Sequence, residues 1–162
     1  MRISNTDAHA ALWASLSLGV RSAPQLAEAA GLTALTARKL LPPADAQAVA
    51  HLWWFGRLIA NADMHCGNLA LFCQSVPSPH FQLAPVCDML PMAYAPLPGG
   101  EVPPAKWEPP LPLPPEAAVW QMACAVALAF WSQAATDGRV SAEFRRICAG
   151  NVLRLERARE LV

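Results

Sequence analysis

The sequence predicts a mainly α fold, in which a helix-turn-helix module (residues 1–42) precedes a larger helical domain (residues 44–162) with one small β-hairpin. Three observations support this prediction. Apolar residues recur at helical spacing over most of the chain. Pro42–Pro43 is a break between the two domains, because consecutive prolines cannot continue a helix. Two short apolar runs joined by the turn-forming segment VPSP are typical of a hairpin.

The N-terminal module is predicted from residues 22–41, where Gly31 provides a turn and Thr33 can cap a second helix. That helix would place Leu35, Leu40 and Leu41 inward and the candidate DNA contacts outward, namely Thr36, Arg38 and Lys39. Helix 6–18 would support the module. Residues 1–42 hold four basic side chains against two acidic ones, a weak surplus for phosphate contacts. A module that packs or dimerises without touching DNA is therefore the alternative.

The elements of the second domain follow from local patterns. Residues 44–60 predict a helix with one apolar stripe, formed by Ala48, Leu52, Phe55 and Ile59. The hairpin strands are expected within residues 67–73 and 80–88. Residues 91–115 contain more than half of the 16 prolines and predict a long extended loop. A helix is expected over 116–135 and should end at Asp137–Gly138, and Ser141 is placed to cap the last helix.

Composition limits the function classes. The formal net charge is zero, so charge alone does not favour tight sequence-independent binding to nucleic acid. Hydrophobic residues make up 54% of the chain and charged residues 15%, which favours an exposed patch that meets a partner. The longest apolar run, Ala117–Trp131, is shorter than the ~20 residues of a membrane span and predicts a buried helix. With no signal-peptide pattern, we expect a cytoplasmic protein without membrane contact.

The segment richest in chemistry is residues 58–90. Asn61, Asp63, His65 and Asn68 lie within eight positions, and Asp88 follows on a later segment. In kinases, one Asp accepts the proton of the attacking hydroxyl, while an Asn and a later Asp hold the Mg²⁺ that neutralises the triphosphate. Oxygen ligands suit Mg²⁺, whereas imidazole does not. The alternatives are helix or strand capping for Asp63 and Asp88, and a hydrogen-bonded loop residue for His65.

The cysteines raise a second possibility for this segment. Cys66, Cys73 and Cys87 lie near His65, so a zinc site has to be considered, but their spacing gives no C-x-x-C pair. Reduced thiols in a cytosolic protein are the favoured interpretation.

The sequences LIANADMHCGNLALF and LAPVCDMLP together resemble the catalytic loop and metal-binding region of HipA-type serine/threonine kinases. These bacterial proteins are known chiefly as toxins of toxin–antitoxin pairs, and one branch also carries a helix-turn-helix. The resemblance implies a kinase-like helical C-lobe over residues 44–162. It also implies ATP-dependent phosphorylation of a protein Ser or Thr with Mg²⁺.

The resemblance implies a role for each residue of the motif. Asp63 is similar to the general base that orients the substrate hydroxyl. Asn68 and Asp88 are similar to the Mg²⁺ ligands of the nucleotide site. Asn61 and His65 resemble residues that stabilise the loop or face the phosphates.

The chain departs from the family in its nucleotide-gripping lobe. It has no G-x-G-x-x-G loop, and its two lysines, Lys39 and Lys106, lie outside any such lobe. We therefore expect that lobe to be missing and the chain alone to be a weak or inactive kinase. The alternatives are a DNA-binding regulator, or a non-catalytic pseudokinase fragment whose uncovered surface binds a partner chain or a second copy. Four tryptophans would belong either to that surface or to the core: Trp53, Trp54, Trp107 and Trp120.

Overall fold

The computed structural model describes residues 32–64, 68–73, 79–100 and 107–162. Within them the chain is mainly helical, as predicted, with one two-stranded antiparallel sheet. The elements in chain order are α1 (Leu32–Ala37), α2 (Pro43–Leu58), β1 (Leu71–Cys73), β2 (Phe81–Leu83), α3 (Ala117–Thr136) and α4 (Ala142–Arg159). The predicted helix 6–18 and the first helix of the helix-turn-helix lie outside the described residues.

The chain divides into two compact units, and the division crosses α2 between Ala50 and His51. The first unit holds the described residues before His51 and those between Met64 and Met89. The second holds His51–Met64 and the described residues from Met89 to Val162. Each unit is described by itself below.

In the first unit, α1 is shorter than the sequence pattern indicated. It ends at Ala37, and Lys39 adopts a left-handed backbone with φ of 58°. The Leu40 and Leu41 amides both donate to the Leu35 carbonyl, at 2.8 and 3.3 Å, which closes the helix in a tight C-terminal turn. Leu35 and Leu41 are buried as predicted. A helix continuing through residue 41 was therefore a wrong expectation.

The predicted hairpin is confirmed, and its second strand has partners on both edges. Leu71 pairs with Leu83, and Cys73 with Phe81. On the opposite edge, the Phe81 amide donates to the Leu40 carbonyl at 2.7 Å. The Leu83 amide donates to Asp45 Oδ2, also at 2.7 Å. The turn after α1 and the first turn of α2 therefore hold the outer edge of β2, so neither amide is left unpaired.

The second unit is built on the packing of α3 against α4. Trp131, on α3, is fully buried, and its indole N–H donates to the Leu58 carbonyl at 3.0 Å. The Tyr94 ring meets Trp131 edge-on, with centroids 6.0 Å apart. The Tyr94 hydroxyl donates to Asn151 Oδ1 at 3.1 Å. These contacts join the end of α2, the segment after Met89 and both long helices around one aromatic core.

The buried face of α2 in this unit differs from the predicted stripe. Ile59, a member of that stripe, is fully buried as predicted, but Leu52 and Phe55 are only half-buried. Trp53, Trp54 and Leu58 are buried instead. Trp120 is also fully buried, and Trp107 packs on Trp131 with centroids 6.1 Å apart. Trp53, Trp54 and Trp120 therefore belong to the core, whereas Trp107 is half-buried at its edge.

The ends of the long helices follow the sequence prediction. Asp137 is the C-cap of α3, and the Ser141 hydroxyl accepts from the Phe144 amide at 3.2 Å at the start of α4. The stretch Pro114–Thr136 is long and apolar enough to cross a membrane, a test that core helices of soluble proteins also pass. The expectation of a buried helix is met on one face only: Trp120, Ala127 and Trp131 are buried, but just 28% of the apolar stretch is buried in the structure.

Candidate phosphotransfer site

Asn61 shapes the turn that carries Asp63. After α2 ends, the Asn61 amide donates to the Gly56 carbonyl at 2.9 Å, and Ala60 adopts a left-handed φ of 61°. The Asn61 side chain is 94% buried, since only 6% of its surface is exposed, and its Oδ1 accepts from the Asp63 amide at 3.0 Å. This side-chain-to-backbone bond is an Asx turn, which fixes the local chain direction. Asn61 therefore positions the turn, while the Asp63 carboxylate stays exposed.

The same turn is tied to the rest of its unit. The Ala60 carbonyl accepts from the Ala93 amide at 2.9 Å, within a short 3₁₀ turn at Met92–Tyr94. Because Tyr94 is buried in the aromatic core, this bond connects the Asp63 turn to that core. An exposed carboxylate on a fixed turn is a suitable place for a proton acceptor.

Asn68 and Asp88 flank the hairpin of the first unit at its open end. The Ala84 amide donates to the Ala70 carbonyl at 2.9 Å, which extends the pairing beyond the strands. Further out, the Cys87 thiol donates to the Asn68 carbonyl at 3.7 Å. This contact places the segment that contains Asp88, the residue after Cys87, beside the segment that contains Asn68. These two residues are 20 positions apart in sequence but lie at the same end of the hairpin.

Asn68 and Asp88 differ in burial, and Asp88 has an unusual backbone conformation. Asn68 is buried, with 5% of its surface exposed, whereas Asp88 is exposed. Asp88 has a φ of 54°, in the left-handed region that Asp tolerates better than most residues. A left-handed residue at this point is a local strain that the surrounding contacts have to hold.

The chemistry of the pair fits Mg²⁺. A carboxylate and a carboxamide offer hard oxygen ligands, which Mg²⁺ prefers, and the ion usually keeps several waters when it binds so few protein groups. Within the described part of the chain, no three His, Cys, Asp or Glu side chains come together as a metal site. His65 and Cys66, which the zinc alternative needs, lie outside the described residues.

The predicted site residues thus form two local pairs. Asn61 and Asp63 belong to the second unit, and Asn68 and Asp88 belong to the first. Sequence reasoning did not find Cys87 as the residue that joins the Asn68 and Asp88 segments, nor Asp45 as the support of β2. The sequence marks Asp45 only as an acidic residue in the first turn of a helix, a position where it complements the helix dipole.

The candidate DNA contacts lie at the end of α1. Thr36 is in the helix, while Arg38 and Lys39 are exposed in the turn that follows it. The Lys39 amide donates to the Thr36 carbonyl at 2.9 Å. Thr36 and Lys39 also line a groove of about 390 Å³, together with His80 and Gln82 from the hairpin.

The chain is similar to a bacterial toxin. No protein-family model matches it, and no solved structure matches it. It shares 45% identity over 96 residues with Toxin YjjJ of Escherichia coli (strain K12). The similar region covers 59% of this chain and 21% of the toxin, so the chain spans about a fifth of the length of that relative.

Proposed function

We propose that this chain is part of a toxin that acts as a HipA-like serine/threonine protein kinase, transferring phosphate from ATP to a protein Ser or Thr. The observation that supports this most is the contact of the Cys87 thiol with the Asn68 carbonyl at 3.7 Å, because Cys87 is the neighbour of Asp88 in sequence. The similarity to Toxin YjjJ supports the toxin part of the proposal.

The proposed roles follow from chemistry. Asp63 accepts the proton of the substrate hydroxyl, and Asn61 holds the turn from which Asp63 acts. Asn68 and Asp88 hold Mg²⁺ beside the nucleotide phosphates. When bound, the ion neutralises charge on the triphosphate, which is a large part of catalysis in phosphoryl transfer. His65, which the resemblance assigns to the loop or the phosphates, completes the proposed set.

We expect this chain alone to be a slow kinase. Neither of its two lysines stands in a phosphate-gripping lobe, and the sequence holds no glycine-rich phosphate loop. Positioning and electrostatics supply most of the rate in this class of enzyme, so a chain without these groups loses much of both.

The first test is phosphorylation of the protein itself and of a Ser/Thr peptide pool with radiolabelled Mg·ATP. We expect slow phosphorylation by the wild type and none by Asp63→Asn. Asp137→Asn is the control, because it removes a carboxylate from the α3–α4 connection, and it should leave the signal intact. Equal signals from wild type and Asp63→Asn would contradict the assignment of the base. No signal from any variant, together with no Mg·ATP binding, would contradict the kinase proposal.

A DNA-binding regulator is the second candidate. The observation that favours it is the exposure of two adjacent cations, Arg38 and Lys39, at the end of α1. Such a regulator would bind duplex DNA with an affinity that falls steeply as salt rises. Anisotropy with a labelled duplex at increasing salt, for wild type and a double Arg38→Gln, Lys39→Gln variant, tests it. Equal binding by the two proteins would exclude these residues as DNA contacts.

A further inference from the structure

A groove of about 360 Å³ runs along the second half of α4, within the second unit. Arg154, Arg157, Ala158 and Leu161 line one side. Arg154, Arg157 and Ala158 are three and four residues apart and share one face of α4, and Leu161 follows in the turn after the helix, where its amide donates to the Ala158 carbonyl at 3.1 Å. The opposite wall is the proline-rich segment that includes Glu108, Pro109 and Leu111. This groove shares no residue with the proposed phosphotransfer site.

The proline-rich wall is held in place by buried groups. The Trp120 indole N–H donates to the Pro110 carbonyl at 2.9 Å. The buried Glu116 carboxylate accepts from the Leu113 amide at 3.1 Å. Trp107, at the other end of the wall, packs on the buried Trp131. A wall fixed at three points is largely preformed, so a ligand would lose little free energy in ordering it.

The arginine side of the groove is also oriented. Arg154 Nη1 donates at 3.1 Å to Asn151 Oδ1, on a side chain that is fully buried. Arg154 Nε lies 3.6 Å from Glu108 Oε1, and that glutamate side chain is 79% exposed. An exposed ion pair of this length contributes little to stability and is readily exchanged. Arg157 has no ion-pair partner among the residues that the structure describes.

The groove combines positive charge with exposed apolar surface. The α4 helix carries five arginines against two glutamates, although the whole chain has a formal net charge of zero. Leu111 and Leu161, which line the groove, are 51% and 74% exposed. A ligand that matches the groove therefore needs carboxylates for the arginines and apolar side chains for the leucines.

We propose that this groove binds an acidic, leucine-containing peptide segment of a partner protein. Carboxylates of the segment pair with Arg157 and, in place of Glu108, with Arg154. Its leucines pack on Pro109, Leu111 and Leu161. A nucleic acid would use the arginines but leave the exposed leucines without a partner, so a peptide is the better match.

The test is fluorescence anisotropy with a fluorescein-labelled peptide of repeated Leu-Glu-Glu triplets. A matched Leu-Gln-Gln peptide and labelled oligothymidylate are the comparison probes. We expect the Glu peptide to bind best and to lose affinity as salt rises. Arg157→Gln should raise its Kd about tenfold, the effect of one charge-assisted contact. Leu111→Ser should also raise it, since Leu111 supplies part of the apolar wall.

Arg159→Gln is the matched control, because it removes the same charge from the same end of α4 but does not line the groove. We expect it to change the Kd by less than about twofold. Four results would each overturn the proposal. These are no binding of the Glu peptide, equal binding of the Gln peptide, tighter binding of oligothymidylate, and an equal effect of Arg157→Gln and Arg159→Gln. All substituted side chains have solvent-exposed surface, and far-UV circular dichroism will verify that each variant folds.

Discussion

Replacing Trp131 with Phe tests the packing of the second unit. Trp131 is fully buried and touches three rings, with centroids 6.0 Å from Tyr94, 5.0 Å from Phe130 and 6.1 Å from Trp107. Its indole N–H is the donor to the Leu58 carbonyl at 3.0 Å. Phe keeps an aromatic ring but cannot make this bond. The variant therefore separates the hydrogen bond and ring size from simple hydrophobicity.

The expected loss in free energy of unfolding is about 1.5–4.5 kcal/mol. Leaving a buried carbonyl without its donor costs about 1–3 kcal/mol, and the weaker aromatic contacts add about 0.5–1.5 kcal/mol. Leu58 is itself fully buried, so water cannot easily replace the lost donor. The range assumes that the neighbouring rings do not move into the vacated space.

The assay is urea unfolding followed by far-UV circular dichroism. Met122→Ala is the control, since Met122 lies on the same helix with 54% of its surface exposed, and it should change stability by no more than about 0.5 kcal/mol. A loss below about 1 kcal/mol for Trp131→Phe, or one equal to the control, would refute the claim that this indole holds α3 to the end of α2.

Three further predictions each concern one side chain. Burial raises the pKa of Tyr94 above 10.0. Because Tyr94 is the only tyrosine in the sequence, absorbance titration at alkaline pH reports on it alone and should show late ionisation that coincides with unfolding. Early, reversible ionisation would contradict this prediction. A raised pKa means that the folded state favours the protonated hydroxyl, so the contribution of Tyr94 to stability is complete below pH 10 and is lost as pH rises. Asp45→Ala should speed hydrogen exchange at Leu83, whereas Asp45→Asn, which keeps an acceptor oxygen, should not. Hydrogen bonds from Arg139 lower the pKa of Asp137 to about 2, so its stabilising effect should disappear between pH 4 and 2; carboxyl NMR showing an ordinary pKa would contradict this.

Features set by local chemistry were predictable from the sequence. The double proline marked the start of α2, Ser141 marked the start of α4, and Asp137 marked the end of α3. Each depends on a residue and its neighbours within one helical turn. The spacing of Asn61 and Asp63 belongs to the same class, because an Asx turn joins a side chain to the backbone two residues on.

Features set by distant residues were not predictable. The Asp45 carboxylate meets the Leu83 amide across 38 positions, and no local pattern reveals that contact. The end of α1 at Ala37 is another case, since Arg38 and Lys39 are good helix formers and Leu35 instead accepts two amides in a closing turn. On α2, the tertiary environment buried Trp53 and Trp54 in preference to Leu52 and Phe55 of the predicted stripe.

The candidate metal site combines both kinds of feature. The residue types Asn68 and Asp88 were predicted by a motif, but their approach depends on the register of the hairpin and on the contact between Cys87 and the Asn68 carbonyl. The left-handed backbone of Asp88 has no signature in the sequence, because Asp is common in both ordinary and left-handed conformations.

The measurement that tests the central proposal most directly is calorimetric titration of ATP into the protein with and without Mg²⁺. The account predicts binding by the wild type that requires Mg²⁺ and is lost in Asp88→Asn. Asp63→Asn, which alters the proposed base and no proposed ligand, should bind as the wild type does. No binding by the wild type, or equal binding by Asp88→Asn, would contradict a magnesium–nucleotide site at the hairpin end.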